Sequence, residues 1–473
     1  MSDLSTTAGK LAFLQSRLAE AQQPLGTASA TRALVTQLVD EGSFIEVDAL
    51  AKHRVSDIDP KPATDGIIAG YGTIDGRKIC VFAQDPSIFE GRLGEVSGEK
   101  ILKMQQLALK TGVPLVGIYA GLGARASEGV GALAFYTAIQ AGFAQASGVI
   151  PQLAIIAGEL EGPNALLPQC ADFLIGPSNH AHLQVESAAA GVQAARKLLH
   201  YLPANNRAEA PRPVQDRLAG AADTWIREAD KALDAAIPDD PTSALPVQKI
   251  LDTLVDENSW LELQPGTGAG MLAGLARIEG RVVGVLANTG LLTASGMRKA
   301  ARLVRTCDAF SIPMLSLVDA PDFDTSAAAT VQAAGQLAFA MAEASVGKLA
   351  VVLRHAMGAG YTVMGAKNLG TDLVFAWPTA EIAAMTGAQA VPSINAAQLA
   401  KAERRGKDVA ALRTQLEQDY DATQLTPYAA AERGLVDAVI MPAQTRGQLV
   451  EGLRLVDRKV IYGPAKKLGN IQL

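Results

Sequence analysis

The sequence predicts an α/β fold built twice within one chain, with short buried strands covered by helices on both faces. Internal repetition is the first observation behind this. Residues 38–46 read LVDEGSFIE and residues 254–262 read LVDENSWLE, an offset of 216. The echo continues in the same order. Ile74-Asp75-Gly76-Arg77 returns as Ile278-Glu279-Gly280-Arg281, Ser97-Gly98 as Ser295-Gly296, Val113-Pro114 as Ile312-Pro313, and Ile150-Pro151-Gln152 as Val346-Gly347-Lys348. By the last pair the offset has fallen to 196, as loop deletions in a duplicated domain produce. The second observation is the alternation of helical stretches with short apolar runs, the pattern of strands buried on both faces. Size is the third: 473 residues exceed one core and suit two domains, expected over residues 1–245 (with a linker) and 246–473.

Each copy is expected to open with an amphipathic helix, around Thr31 to Asp40 and Pro246 to Asp256, followed by a short strand, FIEV or WLEL. Asp75-Gly76 and Glu279-Gly280 then sit between apolar, β-rich runs and predict hairpins. Helices follow from Ser97 to Lys110 and from Ser295 to Phe310, with serine expected as the N-cap. A proline leads each into a buried strand, PLVGIYA at 114 and PMLSLVD at 313. An Ala-rich helix then leads to a second buried strand, PQLAIIAG at 151 and GKLAVVLR at 347. Between the copies, residues 204–244 read as linker around one helix near Val214 to Ala235. The tail from Arg458 reads as a frayed terminus.

Composition narrows the function. A net charge of −6 gives no electrostatic case for nucleic acid. The longest apolar runs are too short to span a bilayer. Cys80, Cys170 and Cys307 lie far apart without the paired spacing of a metal site, so no metal is expected. Few cysteines and no secretory leader point to the cytoplasm.

Chemistry is expected at the end of the second buried strand. Copy one reads Gly158-Glu-Leu-Glu-Gly162-Pro163-Asn164-Ala165 there, and copy two Arg354-His355-Ala356-Met357-Gly358-Ala359-Gly360-Tyr361. A small-residue turn entering a helix exposes backbone N–H groups that could hold a carbonyl oxygen as it becomes an oxyanion. A third turn, Gly121-Leu122-Gly123-Ala124-Arg125, could cradle an anionic or carbonyl group, or serve only as a sharp connection. His355 is the one histidine placed to act, and no stretch has the spacing of a P-loop or dinucleotide fingerprint.

Around these turns run GARASEGVGAL (123–133), ASGVIPQL (146–153), KAARLVRTCDAFSIPMLSLVDAP (299–321), FAMAEASVGK (339–348), GYTVMGAKNLGTDLVFAWPTAEIAAM (360–385), ERGLVDAVI (432–440) and the terminal GNIQL. In these stretches the sequence resembles the carboxyltransferase (β) subunit of biotin-dependent acyl-CoA carboxylases of the propionyl-CoA carboxylase type. The resemblance implies two tandem crotonase-like domains and a ring-shaped hexamer of self or related β subunits. It implies biotin on a separate carrier, a partner biotin carboxylase, and transfer of CO2 from carboxybiotin to the α-carbon of an acyl-CoA. It places biotin-side donors on Ala359 and Gly360, and the thioester-side turn on Gly162, Pro163 and Asn164. Substrate binding falls on Gly121, Gly123, Ala124 and Arg125, with Thr362 at the position that tunes acyl length.

This chain also departs from the family pattern. Pro163 stands where the family has glycine, and proline has no N–H to give. The loop after Val318 carries Asp322 in place of glycine, and a segment of the N-terminal half is missing after Leu183. Two alternatives stay open. The run Gly94 to Ile101 looks like a malonate decarboxylase β subunit, which suggests a decarboxylase. The lost donor suggests a structural paralogue in a mixed carboxylase assembly.

Overall fold

The computed structural model describes residues 4–23, 29–55, 62–213, 225–240, 243–321, 323, 325–459, 461, 464 and 469–470. It divides into two compact units, Met1–Pro211 and Arg212–Leu473. In the first, α1 (Thr7–Gln22) and α2 (Ala30–Leu38) precede β1 (Ile45–Glu46), β2 (Ile67–Ile74) and β3 (Arg77–Gln84). Then come α3 (Glu95–Thr111), β4 (Leu115–Gly121), α4 (Val130–Ala146), β5 (Gln152–Leu160), β6 (Phe173–Gly176), β7 (Leu183–Gln184) and α5 (Ala188–Leu199). The sheet runs β1 to β7 in chain order, antiparallel through β3 and parallel afterwards. Phe82, Tyr119, Tyr136 and Phe143 fill its core.

The second unit repeats this order with α6 (Val247–Leu254), β8 (Leu261–Glu262), β9 (Met271–Ile278), β10 (Arg281–Asn288), α7 (Ala294–Ala309), β11 (Met314–Ala320), α8 (Ala328–Glu343) and β12 (Lys348–Met357). It continues through α9 (Gly358–Val363), β13 (Leu373–Ala376), β14 (Glu381–Ala383), α10 (Gly387–Ile394), α11 (Ala396–Arg404), α12 (Val409–Gln424), α13 (Pro427–Glu432), β15 (Ala438–Val439) and α14 (Thr445–Leu455). Strands β8 to β13 and then β15 form the sheet, with β14 beside β12. The core gathers around Trp377 and Phe375. The helical arm α10–α12 has no counterpart in the first unit, which passes from β6 to β7 through residues 177–182.

The repeated LVDE motif is a lock on the hairpin. Asp75 and Gly76 have φ of 50° and 76°, and Glu279 and Gly280 have 52° and 71°. Positive φ at both central residues matches the right-handed twist of the flanking strands. Asp40 accepts from the N–H of Asp75 and of Gly76, both at 2.9 Å, and Asp256 accepts from Glu279 at 3.0 Å and Gly280 at 2.7 Å. Hydrogen bonds from Gly76, Thr73 and Asp75 hold the Asp40 carboxyl far below the usual carboxylate range. An arginine from the last helix completes each lock. Arg196 donates to Leu38 O and Asp40, and Arg446 to Leu254 O and Asp256.

Three expectations change. Ser97 and Ser295 lie inside their helices rather than at the caps. Gly94 and Thr293 are the N-caps, with the Gly94 N–H donating to Ser97 Oγ and the Gly296 N–H to Thr293 Oγ1. The boundary drawn at residue 245 falls at Pro211, because the segment placed with the first half buries Leu233 and Leu245 in the second core. Of the helix expected near 214–235, Glu228–Ala235 forms 3-10 turns and residues 214–224 lie outside the described residues. Cys80 and Cys307 are buried free thiols and Cys170 is exposed. Asp322 and residues 471–473 of the GNIQL ending also lie outside the described residues.

Candidate functional site

Both candidate turns stand at the C-terminal ends of parallel strands, where open α/β sheets place ligands. A bulge marks each place. The β4–β5 register shifts between Tyr119 and Gly121, leaving Gly121 opposite Leu160. The β11–β12 register shifts between Val318 and Ala320, leaving Ala320 opposite Ala356. Two residues later each chain turns on a glycine with positive φ, Gly162 at 54° and Gly358 at 47°. By register, Gly162-Pro163-Asn164 in copy one is therefore the equivalent of Gly358-Ala359-Gly360 in copy two.

In copy two, β12 runs straight into α9. Ala359 and Gly360 are the second and third residues of α9, and the Gly360 N–H falls outside the helix's own hydrogen-bond ladder. Gly360 is buried, and a Cβ there would lie 2.5 Å from Pro321 O and 2.9 Å from Ala320 O. Only glycine lets these backbones approach so closely. Thr362 is exposed and donates to Ala359 O at 2.7 Å. A cavity of about 550 Å³ opens beside Gly358, Tyr361 and Thr362, walled by Ile382, Ala430 and Leu435.

His355 is drawn into an ion-pair cluster. Its Nδ1 lies 2.7 Å from Asp319 and its Nε2 3.5 Å from Glu381. Arg354 also pairs with Asp319, at 2.9 Å. Burial would raise the Asp319 carboxyl, but hydrogen bonds from His355 and Arg354 outweigh it and hold it at about 2. The histidine thus braces β11, β12 and β14 behind the turn.

Copy one is built differently. Gly162–Ala165 is a single 3-10 turn. Pro163 has no N–H, and the Asn164 N–H donates to Glu161 O at 3.2 Å. Gly162 is exposed, and its N–H is the donor this turn can offer a ligand. Asn164, expected among the catalytic residues, is fully buried and sends its amide to Gly121 O and Gln84. Its side chain has no polar atom left over for a substrate.

The 121–125 turn lies alongside. A Cβ at Gly121 would be 2.2 Å from Gly91 O, and Gly123 at φ 91° sits over Glu161 O. Ala124 bridges to Leu93. Arg125, expected to meet substrate, points inward and is 3% exposed. Its guanidinium donates to Glu128, Asp65 O, Arg92 O and Ser97 Oγ, and stacks 4.1 Å over Phe89. It supports the turn from beneath. The reading from sequence missed Gln84 and Asn288, buried amides ending β3 and β10. A signal was present, since KICVFAQ and VVGVLAN end on matching polar residues. Among the described residues, no group of three His, Cys, Asp or Glu could hold a metal ion.

The chain matches the carboxyl transferase domain family over residues 28–182 and 176–471. It is 41% identical to the biotin-dependent acetyl-/propionyl-coenzyme A carboxylase beta5 subunit of Mycobacterium tuberculosis, covering 100% of this chain and 96% of that one. It is 40% identical to the propionyl-CoA carboxylase beta chain of Saccharopolyspora erythraea, covering 100% and 97%. Among solved structures it is similar to transcarboxylase 12S, a hexamer with methylmalonyl-coenzyme A and methylmalonic acid bound. That match has a TM-score of 0.90 and 31% identity and covers 98% of each chain. The chain belongs to the carboxyl transferase family, with the β subunits of acyl-CoA carboxylases, and its duplicated units have the crotonase-like fold.

Proposed function

We propose that this chain is a carboxyltransferase subunit that moves CO2 from a biotin-bearing carrier to the α-carbon of an acyl-CoA. One observation carries the reading: each unit follows its matched bulge with a positive-φ glycine turn at the C-terminal end of a parallel strand, which presents the Gly162 N–H in copy one and the N-terminus of α9 in copy two. Such donors suit a reaction in which negative charge develops on oxygen.

The residues present fit biotin. Its ureido group is neutral and asks for hydrogen-bond donors rather than a cation, and α9 offers small-residue backbone beside a roomy cavity. When bound, the carrier's biotin supplies the activated carboxyl group. Ala359 and Gly360 would donate to the ureido oxygen, with Thr362 at the cavity rim. In copy one the Gly162 N–H donates to the thioester oxygen, and Gly121, Gly123 and Ala124 border it. With Pro163 next in line, one donor serves where two would. Removing one oxyanion donor costs about 10²–10³ in rate, so turnover is expected to be slow. The partners are a biotin carboxylase and carrier subunit and further β subunits in a hexamer, in the cytoplasm.

The test is ATP-dependent fixation of labelled bicarbonate by this chain with its biotin carboxylase and carrier, across acyl-CoAs from acetyl upward. Acid-stable label in a carboxylated acyl-CoA is the expected result. No label on any acyl-CoA would sink the reading.

A further inference from the structure

Gln84 and Asn164 are both fully buried, and every polar atom of the two amides is used. Gln84 Oε1 accepts from the Ala120 N–H at 3.1 Å, and its Nε2 donates to Asn164 Oδ1 at 3.0 Å. Asn164 Nδ2 donates to Gly121 O at 2.9 Å and to Gln84 Oε1 at 3.3 Å. The partners fix both amide orientations, since Ala120 N–H needs an acceptor and Gly121 O a donor. Together they join the end of β3, the end of β4 and the turn after β5.

Copy two has only half of this. Asn288 accepts from the Asp319 N–H at 2.9 Å and donates back to Asp319 O. Among the described residues no second amide reaches the turn, where Gly360 rests directly on Ala320 and Pro321. In copy one the backbone bond between the turns, Glu161 N–H to Gly121 O, is long at 3.3 Å. The neighbouring Gly162 has positive φ and no side chain to anchor it.

We propose that Gln84 and Asn164 are positioning residues that hold the Gly162 N–H in place, offsetting in rigidity the donor that Pro163 removes. This rests on the reading of Gly162 as the thioester-side donor. Neither amide touches substrate. Their effect follows from geometry, because a misplacement of about 1 Å can cost about 10²-fold in rate.

The experiment compares Asn164→Leu, Asn164→Ser, Gln84→Met and the double variant Gln84→Met/Asn164→Leu in the carboxylase holo-complex. Asn164→Leu and Gln84→Met are expected to lower kcat by about 10- to 100-fold with the acyl-CoA KM within threefold, as loss of an interaction realised in the transition state requires. Asn164→Ser keeps a donor for Gly121 O and is expected to recover most of the loss. The double variant should be no worse than the poorer single. Hydrogen exchange of peptides spanning 158–166 supplies a readout independent of turnover. In Asn164→Leu it should quicken at least tenfold, while peptides spanning 356–364 stay unchanged. Unchanged exchange at 158–166 overturns the proposal, as does a kcat loss that merely follows the unfolded fraction. Should the wild-type complex carboxylate no acyl-CoA, the proposed function fails by itself and exchange still decides the clamp.

Discussion

The two halves of this chain keep the same path through hairpin, bulge and glycine, and then secure their turns by different means. Copy two lays backbone on backbone, with Gly360 against Ala320 and Pro321 and no side chain between them. Copy one inserts a pair of side-chain amides, Gln84 and Asn164, and places a proline where a donor would stand. Stacked backbone is rigid but admits one residue type. An amide pair tolerates more sequence, yet consumes the polar atoms that it recruits. Holding a turn still and leaving it free to donate are therefore separate demands, and the two copies weight them differently.

Substitutions in each copy break or sharpen that contrast. The largest effect is expected from Gly360→Val, whose Cβ would sit 2.5 Å from Pro321 O. Carboxyl transfer should fall by about 10³-fold or more, given that one misplaced donor already costs about 10²–10³. Near-normal turnover would show that the close approach is dispensable. Pro163→Gly should act in the opposite sense, raising kcat by up to about 10²-fold, since it restores an N–H. A neutral result would remove the proline from the account of copy one.

The matched arginines extend the comparison to stability. The Arg446 side chain is 9% exposed, whereas that of Arg196 is 21% exposed. Arg446→Ala should cost roughly 3 kcal/mol, as breaking a buried pair does, and Arg196→Ala about 1 kcal/mol. Denaturant unfolding reads both, and equal costs would contradict the difference in burial.

Asp319→Asn probes a cluster that only copy two has. Its folded carboxyl is held at about 2, against about 3.9 when unfolded. A depressed carboxylate stabilises above its unfolded pKa and loses that contribution as pH falls through the folded one. The wild type should therefore exceed the variant by roughly 2 kcal/mol at pH 7, with the gap closing between about pH 4 and pH 2. A gap that stays constant over that window would show that Asp319 acts through packing rather than charge.

Much of this fold was legible because repetition does not depend on knowing any structure. LVDEGSFIE and LVDENSWLE gave the duplication, and Asp75-Gly76 and Glu279-Gly280 gave the hairpins with the φ values that such turns require. Arg196 and Arg446 were not legible. They reach Asp40 and Asp256 from helices more than 150 residues away, and nothing local signals that contact. The helix caps were misplaced by two or three residues for a similar reason. Ser97 bonds back to Gly94, so a good capping residue serves from inside the helix. Within the candidate site, the glycine turns after β5 and β12 were legible because small residues after a strand are a local signal. The orientation of Arg125 and Asn164 was not legible, because polarity in sequence does not show which way a side chain faces. Both turn inward, and only three-dimensional contacts reveal it.

The bulges on β5 and β12 also amount to a ruler. Across the chain the two copies have drifted from an offset of 216 to one of 196, so residues have been lost in many places. Between bulge and glycine nothing has moved: Leu160 to Gly162 and Ala356 to Gly358 are the same step. One residue added there would turn the next side chains to the opposite face and carry the donors out of reach. An insertion that a surface loop absorbs should abolish the reaction at these two points, which makes them fixed marks from which any redesign of either half must be measured.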